Sequence, residues 1–230
     1  MTMNLNRPIL ISFSGMDGAG KSTQIANLRA VAAQQGLKTT VLTFWDNVVV
    51  LSRYREKFVQ KVFNSESGIG SPEKPVNRRD KNVRGWHVDF LRHGLYGLDA
   101  LHLPQVIARA GRQGVDVIIM DRYLHDELAN LPLENAATRI FIKTVAKLVP
   151  TPDISFVLDA DPEAARARKP EYPLEFLYSV RKSYLDLADL LGTITVVPAM
   201  SLPEAMRVVE MFFGRVLAKR GLRQRGTWAA

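Results

Sequence analysis

The residues best suited to chemistry form one run near the amino terminus, Gly15-Met16-Asp17-Gly18-Ala19-Gly20-Lys21-Ser22-Thr23. Its spacing, G-x-x-x-x-G-K-[ST], is that of a phosphate-binding loop. Glycines let the chain curl so that successive backbone N–H groups point at phosphate oxygens. Lys21 supplies a flexible point charge for the outer phosphates, and the hydroxyl of Ser22 is a hard oxygen ligand that suits Mg²⁺. The run therefore predicts a site for a phosphate chain and a magnesium ion.

The elements on either side of this run are the ones that a phosphate site needs. The apolar run at 9–13 predicts a buried strand, and the segment 24–35 has apolar residues at helical spacing. A helix that begins directly after the loop presents its positive end to the same anion. A glycine-rich turn without a ligand is the alternative. The strand before the run and the helix after it favour the phosphate site.

A second apolar strand ends in a carboxylate. The run 117–120 leads directly into Asp121, whose side chain would emerge beside the phosphate loop and hold Mg²⁺ or its water. Arg122 follows at once and can pair with a phosphoryl group through two N–H groups. Tyr123 is a candidate wall of a base pocket. The alternative for this stretch is a strand end with an ordinary surface ion pair.

Beyond these two stretches, strands and helices alternate along the chain. Strands are predicted at 9–13, 37–44, 115–120, 154–158 and 193–197, and helices at 24–35, 53–63, 86–112, 134–149, 174–191 and 201–219. This alternation predicts an α/β fold, a parallel sheet with helices on both faces and ligands at the carboxyl ends of the strands. We expect one domain over 1–230, with a mobile loop at 64–82 and a frayed basic tail at 219–230. Pro104 is expected to kink or divide the long helix.

Composition narrows the class of protein further. The chain has 230 residues, of which 47% are hydrophobic, and it contains no cysteine, which excludes disulfides and thiolate metal sites. Its mean hydropathy is -0.06, and no apolar run approaches the ~20 residues of a membrane span. We expect a soluble, cytoplasmic protein. The net charge of +8 favours an anionic partner, although charge alone does not choose among a nucleotide, a polyphosphate and a nucleic acid.

Together these motifs resemble the thymidylate kinase family of P-loop nucleoside monophosphate kinases. The resemblance rests on residues 15–24, on Asp121-Arg122-Tyr123, on 158–165 and on 95–102, whose order and spacing cover most of the chain up to the last helix. It implies a P-loop fold with a five-stranded parallel sheet between layers of helices and a short lid at about 161–173. It also implies transfer of the γ-phosphoryl group of ATP, with Mg²⁺, to a nucleoside monophosphate. A homodimer through the long helix is implied as well.

The resemblance also assigns roles to residues. The phosphate loop has no arginine of its own, and in this family such a loop goes with basic residues in the lid, so Arg166 and Arg168 are expected to close over the transferred phosphoryl group. The residues expected to be catalytic are Lys21, Arg122, Arg166 and Arg168. ATP binding is assigned to Gly15, Asp17, Gly18, Ala19, Gly20, Lys21, Ser22 and Thr23, and Mg²⁺ to Ser22 and Asp121. The substrate-binding residues are predicted to be Asp17, Trp45, Arg92, Tyr96, Asp99, Arg122 and Tyr123.

Three departures from the family pattern concern the acceptor. The family has an Arg-Glu-Pro stretch after the second strand where this chain has Trp45-Asp46-Asn47, and an Asp-Arg pair where this chain has Asp99-Ala100. The stretch 124–130 also differs from the serine and Ala-Tyr-Gln-like residues that commonly follow Asp-Arg-Tyr. An acceptor dianion needs cations. Either other arginines, such as Arg92, replace the missing ones or the acceptor is not dTMP.

Other classes of function remain open at this point. A GTPase needs a guanine-reading Asn-Lys-x-Asp stretch, which the sequence lacks. A kinase of another small phosphate or sugar, or a polyphosphate-dependent kinase, shares the loop and the basic charge. A non-catalytic ATP-binding protein of the same fold is also consistent with the sequence. A nucleic-acid-binding module has only the net charge in its favour, so we expect small-molecule nucleotides as the partners, with no membrane.

Overall fold

A computed structural model describes residues 7–50 and 86–221 of the chain, with side chains described from residue 91 in the second range. In chain order its elements are β1 (Ile9–Ser14), α1 (Lys21–Gln34), β2 (Thr39–Thr43), a π-helical turn (Phe44–Val48), α2 (Trp86–Gly111), β3 (Val117–Asp121), α3 (Leu124–Leu128), α4 (Ala136–Leu148), β4 (Ile154–Leu158), α5 (Pro162–Arg168), α6 (Leu174–Leu191), β5 (Ile194–Val197) and α7 (Leu202–Lys219).

The strands of the described residues form one five-stranded sheet in the order β2-β3-β1-β4-β5. Every neighbouring pair runs parallel. β1 lies at the centre, and the chain builds β2 and β3 on one side of it before it builds β4 and β5 on the other. The strand order therefore reverses beside β1, which is where open parallel sheets bind ligands at their carboxyl edge. The loop that follows β1 is the one with the phosphate-loop spacing.

Two apolar clusters cover the two faces of the sheet. Alternate residues of β3 point to opposite faces, so Ile118 packs into one cluster and Ile119 into the other. The first cluster also contains Leu103 of α2, and the second contains Leu28 of α1 and Phe213 of α7. Both faces of the sheet are thus sealed by helices, which explains why its strands are nearly continuous apolar runs. The predicted α/β fold with a five-stranded parallel sheet is confirmed.

The predicted bounds match the structure most closely where the hydrophobic period is unbroken. β4 and α6 begin and end where the sequence predicts. Ser201, the predicted first residue of the last helix, caps α7 one residue before its start, and its N–H and hydroxyl donate to the carboxylate of Glu204 as predicted. Pro104 lies inside α2 without dividing it. The fully buried Leu103 beside it shows that packing against the core holds this turn. Among the described residues, no helix is both long and apolar enough to span a bilayer.

Three short elements were not predicted as helices: α3, the π-helical turn and the seven-residue α5, which lies in the predicted lid. α3 and the π-helical turn are each five residues long, which is too short for a helical period to register in the sequence. The predicted helix at 53–63, the predicted mobile loop at 64–82 and most of the basic tail lie outside the described residues.

Candidate active site

The phosphate loop owes its shape to three glycines with left-handed backbones. Their φ angles are 134° at Gly15, 82° at Gly18 and 89° at Gly20, in the region that other residues rarely adopt. Two of them also lie against neighbouring backbone. A Cβ atom at Gly15 would lie 2.6 Å from the carbonyl oxygen of Leu158, and one at Gly18 would lie 2.6 Å from that of Ala165. The loop is therefore pressed between the end of β4 and the short helix α5.

Lys21, the first residue of α1, folds back over the loop. Its Nζ atom donates to the carbonyl oxygens of Gly15, at 2.8 Å, and of Met16, at 2.9 Å. Burial, and after it the positive charge of Arg122, lowers the pKa of Lys21 to about 8, against the raising effect of nearby carboxylates. The ammonium group is thus held at the centre of the loop, where a phosphate would offer it a stronger partner than two carbonyls.

Arg122 bridges the phosphate loop and helix α3. One of its terminal nitrogens donates to Oδ1 of Asp17 at 2.6 Å, and the other donates to Oδ1 of Asp126 at 3.1 Å. Its backbone has a φ of 66°, a left-handed value found at no other non-glycine residue among those described. The backbone N–H of Arg122 donates to the carbonyl of Phe13 in β1 at 2.9 Å. Arg122 therefore stands at the carboxyl end of β1, directly beside the loop.

Asp126 was not predicted as a site residue, yet its carboxylate accepts four hydrogen bonds. It is 5% exposed and accepts hydrogen bonds from Arg122, from the Ser14 hydroxyl, from the backbone of Tyr123 and from the Tyr184 hydroxyl. These groups come from three separate parts of the chain. Only the fold brings them together, so the sequence carries no local signal for this group.

Asp121 and Ser22 carry the hard oxygen atoms that Mg²⁺ prefers as ligands. Asp121 ends β3 and stands in register between Phe13 of β1 and Thr43 of β2, at the carboxyl edge of the sheet. Its charge acts on both Lys21 and Arg122. Within the described ranges, no group of three or more His, Cys, Asp or Glu side chains forms a metal cage. One carboxylate and one hydroxyl fit an ion that takes its other ligands from phosphates and water.

The predicted lid contains helix α5, which begins with Pro162 after the capping Asp161. The backbone of α5 rests against Gly18, as described above. Arg168 reaches further, because its Nε atom donates to the carbonyl oxygen of Gly18 at 3.0 Å. Arg166 is half-buried on the same helix. The structure therefore brings the end of this helix onto the phosphate loop.

An open cleft of about 410 Å³ adjoins the loop on the α5 side. It lies between the start of α1, the end of β4, helix α5 and the segment that joins β5 to α7. Its lining residues are Ala19, Gly20, Thr23, Gln24, Leu158, Asp159, Ala160, Asp161, Ala164, Arg168, Val197, Pro198, Ala199, Met200, Leu202 and Ala205. The segment 198–200 was not predicted to line a site, because nothing in its composition distinguishes it from an ordinary loop. The cleft and the loop together form one continuous concave surface.

The residues predicted for the acceptor are placed in different ways. Trp45 is 40% exposed in the π-helical turn, whereas Asp99 is fully buried and accepts a hydrogen bond from the backbone N–H of Val50 at 2.9 Å. Asp99 thus braces the chain that follows β2. Tyr96 is also buried, and burial, then the charge of Glu127, raises its pKa well above the ordinary value.

Arg92 lies one turn before Tyr96 on α2 and is half-buried, and its positive charge acts on the Tyr96 hydroxyl. Tyr123, by contrast, has no exposed surface. Its ring belongs to the core cluster that contains α2, and its hydroxyl donates to the carbonyl oxygen of Pro150. The structure therefore places Tyr123 in the core and not along an open pocket. The buried partner of its hydroxyl explains this, because a tyrosine can enter the core when its O–H is satisfied.

Comparison with known proteins identifies relatives along most of the chain. A thymidylate kinase of Pelodictyon phaeoclathratiforme is 30% identical over 206 residues, which cover 79% of this chain and 83% of that protein. A probable thymidylate kinase of Archaeoglobus fulgidus is 28% identical over 217 residues, which cover 89% of this chain and 96% of that protein. No protein-family model matches the chain.

A solved structure supports the same fold. The thymidylate kinase of Candida albicans superposes with a TM-score of 0.57 and 18% sequence identity, and the match covers 96% of each chain. Its sheet-and-helix arrangement is the one described above for this protein. With a sequence relative at 30% identity over most of both chains, this chain belongs to the thymidylate kinase family.

Proposed function

We propose that this protein transfers the γ-phosphoryl group of ATP to a nucleoside monophosphate, with dTMP as the acceptor. One observation carries the transfer of a phosphoryl group, and the relatives named as thymidylate kinases support dTMP as the acceptor. Lys21, Arg122 and Arg168 all make contacts to the same phosphate loop or its Asp17, at the carboxyl edge of the sheet. Three cations that converge on one anion-binding loop suit the transfer of a highly charged group better than the binding of a neutral ligand.

The donor half of the reaction is assigned to the loop and α1. ATP would lay its phosphates along the backbone N–H groups of the loop, and Lys21 would exchange the Gly15 and Met16 carbonyls for phosphate oxygens. Ser22 and Asp121 would hold Mg²⁺, which supplies charge neutralisation on the phosphates when it is bound. The cleft of about 410 Å³ beside Thr23 is the space available for the base of the donor.

The acceptor half is assigned to Asp17 and Arg122, which pair with each other at 2.6 Å in the free protein. In the family resemblance, Asp17 faces the acceptor sugar and Arg122 lies between the two reacting phosphates. An acceptor would then take over both partners of this ion pair. The lid completes the arrangement, since Arg168 is already bonded to the loop carbonyl of Gly18 and would turn to the transferred group. Positioning and charge neutralisation would supply the catalysis, with little covalent work for the protein.

A second acceptor class is favoured by one observation on α2. Ala100, which stands where the family pattern has an arginine, is 2% exposed and packs in the core. The phosphate contact that such an arginine makes must come from elsewhere in this chain. If other cations do not replace it, the same donor machinery would serve a different small phosphate or another nucleoside monophosphate.

The test is the release of ADP from ATP and Mg²⁺ across a panel of nucleoside monophosphates, nucleosides and sugar phosphates. Stimulation by dTMP above the other compounds supports the proposal. Stimulation by a different compound supports the second acceptor class. The control is Lys21→Ala, which is expected to lower the rate at least 100-fold, because one preorganised charge at a transition state is worth about this much.

We also propose that the protein is a homodimer through α2. Leu91, Leu98 and Leu101 are 43%, 47% and 64% exposed along this helix. Exposed leucines along one helix are typical of a surface that another chain covers. Light scattering tests this directly, and a monomer mass at micromolar concentration would contradict it.

A further inference from the structure

We propose that Asp126 is a positioning residue, which holds the Arg122 guanidinium beside the phosphate loop while a substrate occupies the site. The inference rests on the proposed function, because it concerns what Arg122 does during phosphoryl transfer. Asp126 lies in the stretch 124–130, where the sequence departs from the family pattern. Its role therefore does not follow from the family resemblance.

The contacts of Asp126 make it a rigid anchor. Its Oδ2 atom accepts from the Ser14 hydroxyl at 2.6 Å and from the Tyr123 N–H at 3.0 Å. Its Oδ1 atom accepts from the Tyr184 hydroxyl at 2.7 Å and from Arg122 at 3.1 Å. A carboxylate that accepts four donors while it is 5% exposed has one available orientation. Three of the four donors fix the carboxylate, and the fourth is the group that it positions.

Arg122 needs such an anchor for two reasons. Its left-handed backbone, with a φ of 66°, is unfavourable for a residue with a Cβ atom and persists only where surrounding contacts hold it. Its other partner, Asp17, belongs to the phosphate loop and is the group that the acceptor would engage. When Asp17 turns to the acceptor, the bond to Asp126 is the contact described here that still directs the guanidinium.

The electrostatics agree with this geometry. Burial alone lowers the pKa of Arg122, but the carboxylate of Asp126, followed by other nearby groups, outweighs burial and raises it. Burial, with the charge of Asp126, also raises the pKa of Tyr184, so its hydroxyl stays protonated and keeps donating. Tyr184 lies in α6, the next helix after α5 and its Arg168. Asp126 thus ties Arg122 to the helix that follows the lid.

The experiment compares Asp126→Asn with a matched control, Asp153→Asn. Like Asp126, Asp153 is a carboxylate of low exposure that accepts hydrogen bonds from arginine side chains and from a backbone N–H. Its arginine partners are Arg7 and Arg220, and it precedes β4, at the opposite edge of the sheet from the site. We expect Asp126→Asn to lower kcat by about 10- to 100-fold, the cost of misplacing a catalytic group. The dissociation constant of MgATP, measured by calorimetry, should change less than about threefold. Asp153→Asn should lower the unfolding midpoint and leave kcat unchanged.

A second pair of variants keeps the test decisive if Asp126→Asn folds poorly. Tyr184→Phe removes one of the four donors to Asp126 and should lower kcat by about three- to tenfold, the value of one typical intramolecular hydrogen bond. In an Arg122→Ala background, both substitutions should cause almost no further loss, because a positioning residue acts only through its target. Two results would overturn the inference. One is a further loss of kcat in the Arg122→Ala background as large as that in the wild-type protein. The other is a loss of kcat that parallels the fall in unfolding midpoint in both Asp126→Asn and Asp153→Asn.

The failure of the proposed function is recognised separately. If the wild-type protein turned over no nucleoside monophosphate, that proposal would fail. The unfolding free energies of the wild-type protein, Arg122→Ala, Asp126→Asn and the double variant would then test the anchor alone. Non-additive losses in this cycle support the inference, and additive losses overturn it.

Discussion

The proposed donor half and the proposed acceptor half of the site hold their charges in different ways. In the donor half, the loop is shaped by glycines, and Lys21 is bonded to the backbone carbonyls of Gly15 and Met16. In the acceptor half, Arg122 is held by the side chains of Asp17 and Asp126, which come from different elements. Backbone groups hold the first charge, and side chains from separate parts of the chain hold the second.

This difference in how the charges are held predicts which half of the site tolerates substitution more readily. The phosphate loop tolerates few substitutions, because its glycines have positive φ angles that residues with a Cβ atom rarely adopt. An arginine held by side chains can keep its place with different partners, and Asp126 lies where this chain departs from the family pattern. We therefore expect the donor half to behave like that of other P-loop kinases and the acceptor half to carry what is particular to this chain.

The largest effect is expected at the contact between the lid and the donor half. Arg168→Ala should lower kcat by about 100-fold or more, because an arginine that stabilises the charge of phosphoryl transfer is worth at least this much. Steady-state kinetics with saturating ATP measures it. Arg139→Ala is the control, since Arg139 is exposed on α4 and should leave kcat unchanged. Equal rates for the two variants would remove Arg168 from the mechanism.

Alanine substitutions at Gly18 and Gly20 distinguish the cost of backbone strain from the cost of a steric clash. Gly18 and Gly20 have nearly the same φ, 82° and 89°, but a Cβ atom at Gly18 would strike the carbonyl of Ala165, whereas one at Gly20 would meet nothing within 4 Å. Each alanine variant should lose about 1–3 kcal/mol of unfolding free energy to strain. Gly18→Ala should lose more, since helix α5 must also move. Chemical denaturation measures both values, and a smaller loss for Gly18→Ala would contradict the packing described here.

A smaller effect is expected at Asp99, whose carboxylate accepts the backbone N–H of Val50 beside the proposed acceptor site. Asp99→Ala would leave the backbone N–H of Val50 without its present partner, at a cost of about 1–3 kcal/mol of unfolding free energy. Because Val50 follows the exposed turn with Trp45, the KM for the acceptor should rise while the KM for ATP stays constant. Asp116→Ala is matched to it, because Asp116 accepts the N–H of Lys38 at 2.8 Å, away from the site. A similar rise in acceptor KM for Asp116→Ala would mean that the effect is not local.

The smallest expected effect is a change of ATP affinity with pH. Lys21 has a pKa of about 8 in the free protein, and phosphates would bind its protonated form more tightly. Since the free protein loses this proton above pH 8, the affinity for ATP should fall by up to about tenfold per pH unit there and stay level just below it. Calorimetric titrations between pH 7 and 10 measure this. In Lys21→Arg the fall should vanish, because a guanidinium keeps its proton over this range.

The sequence predicts most of the fold because hydrophobic period and turn residues are local signals. The strand at 154–158 and the helix at 174–191 are bounded correctly, since each is a continuous pattern of a single period. The five-residue helix α3 gives no such pattern and was missed. The placement of Tyr123 was also beyond the sequence, because its burial depends on the carbonyl of Pro150, 27 residues further along the chain.

The same distinction applies to the site. Gly15, Gly20 and Lys21 are identified by spacing alone, since the loop is one continuous segment. Asp126 and Tyr184 are 58 residues apart and meet only in the folded protein. The sequence therefore predicts that the loop binds phosphates, and the structure is needed to see how Arg122 is held.

The proposed activity is tested most simply by following γ-labelled phosphate from ATP to dTMP. We expect labelled dTDP to form in step with ADP in the wild-type protein, and Lys21→Ala to form neither at a comparable rate. ADP release with no labelled dTDP, or labelling of a different acceptor in preference to dTMP, would contradict the proposed activity.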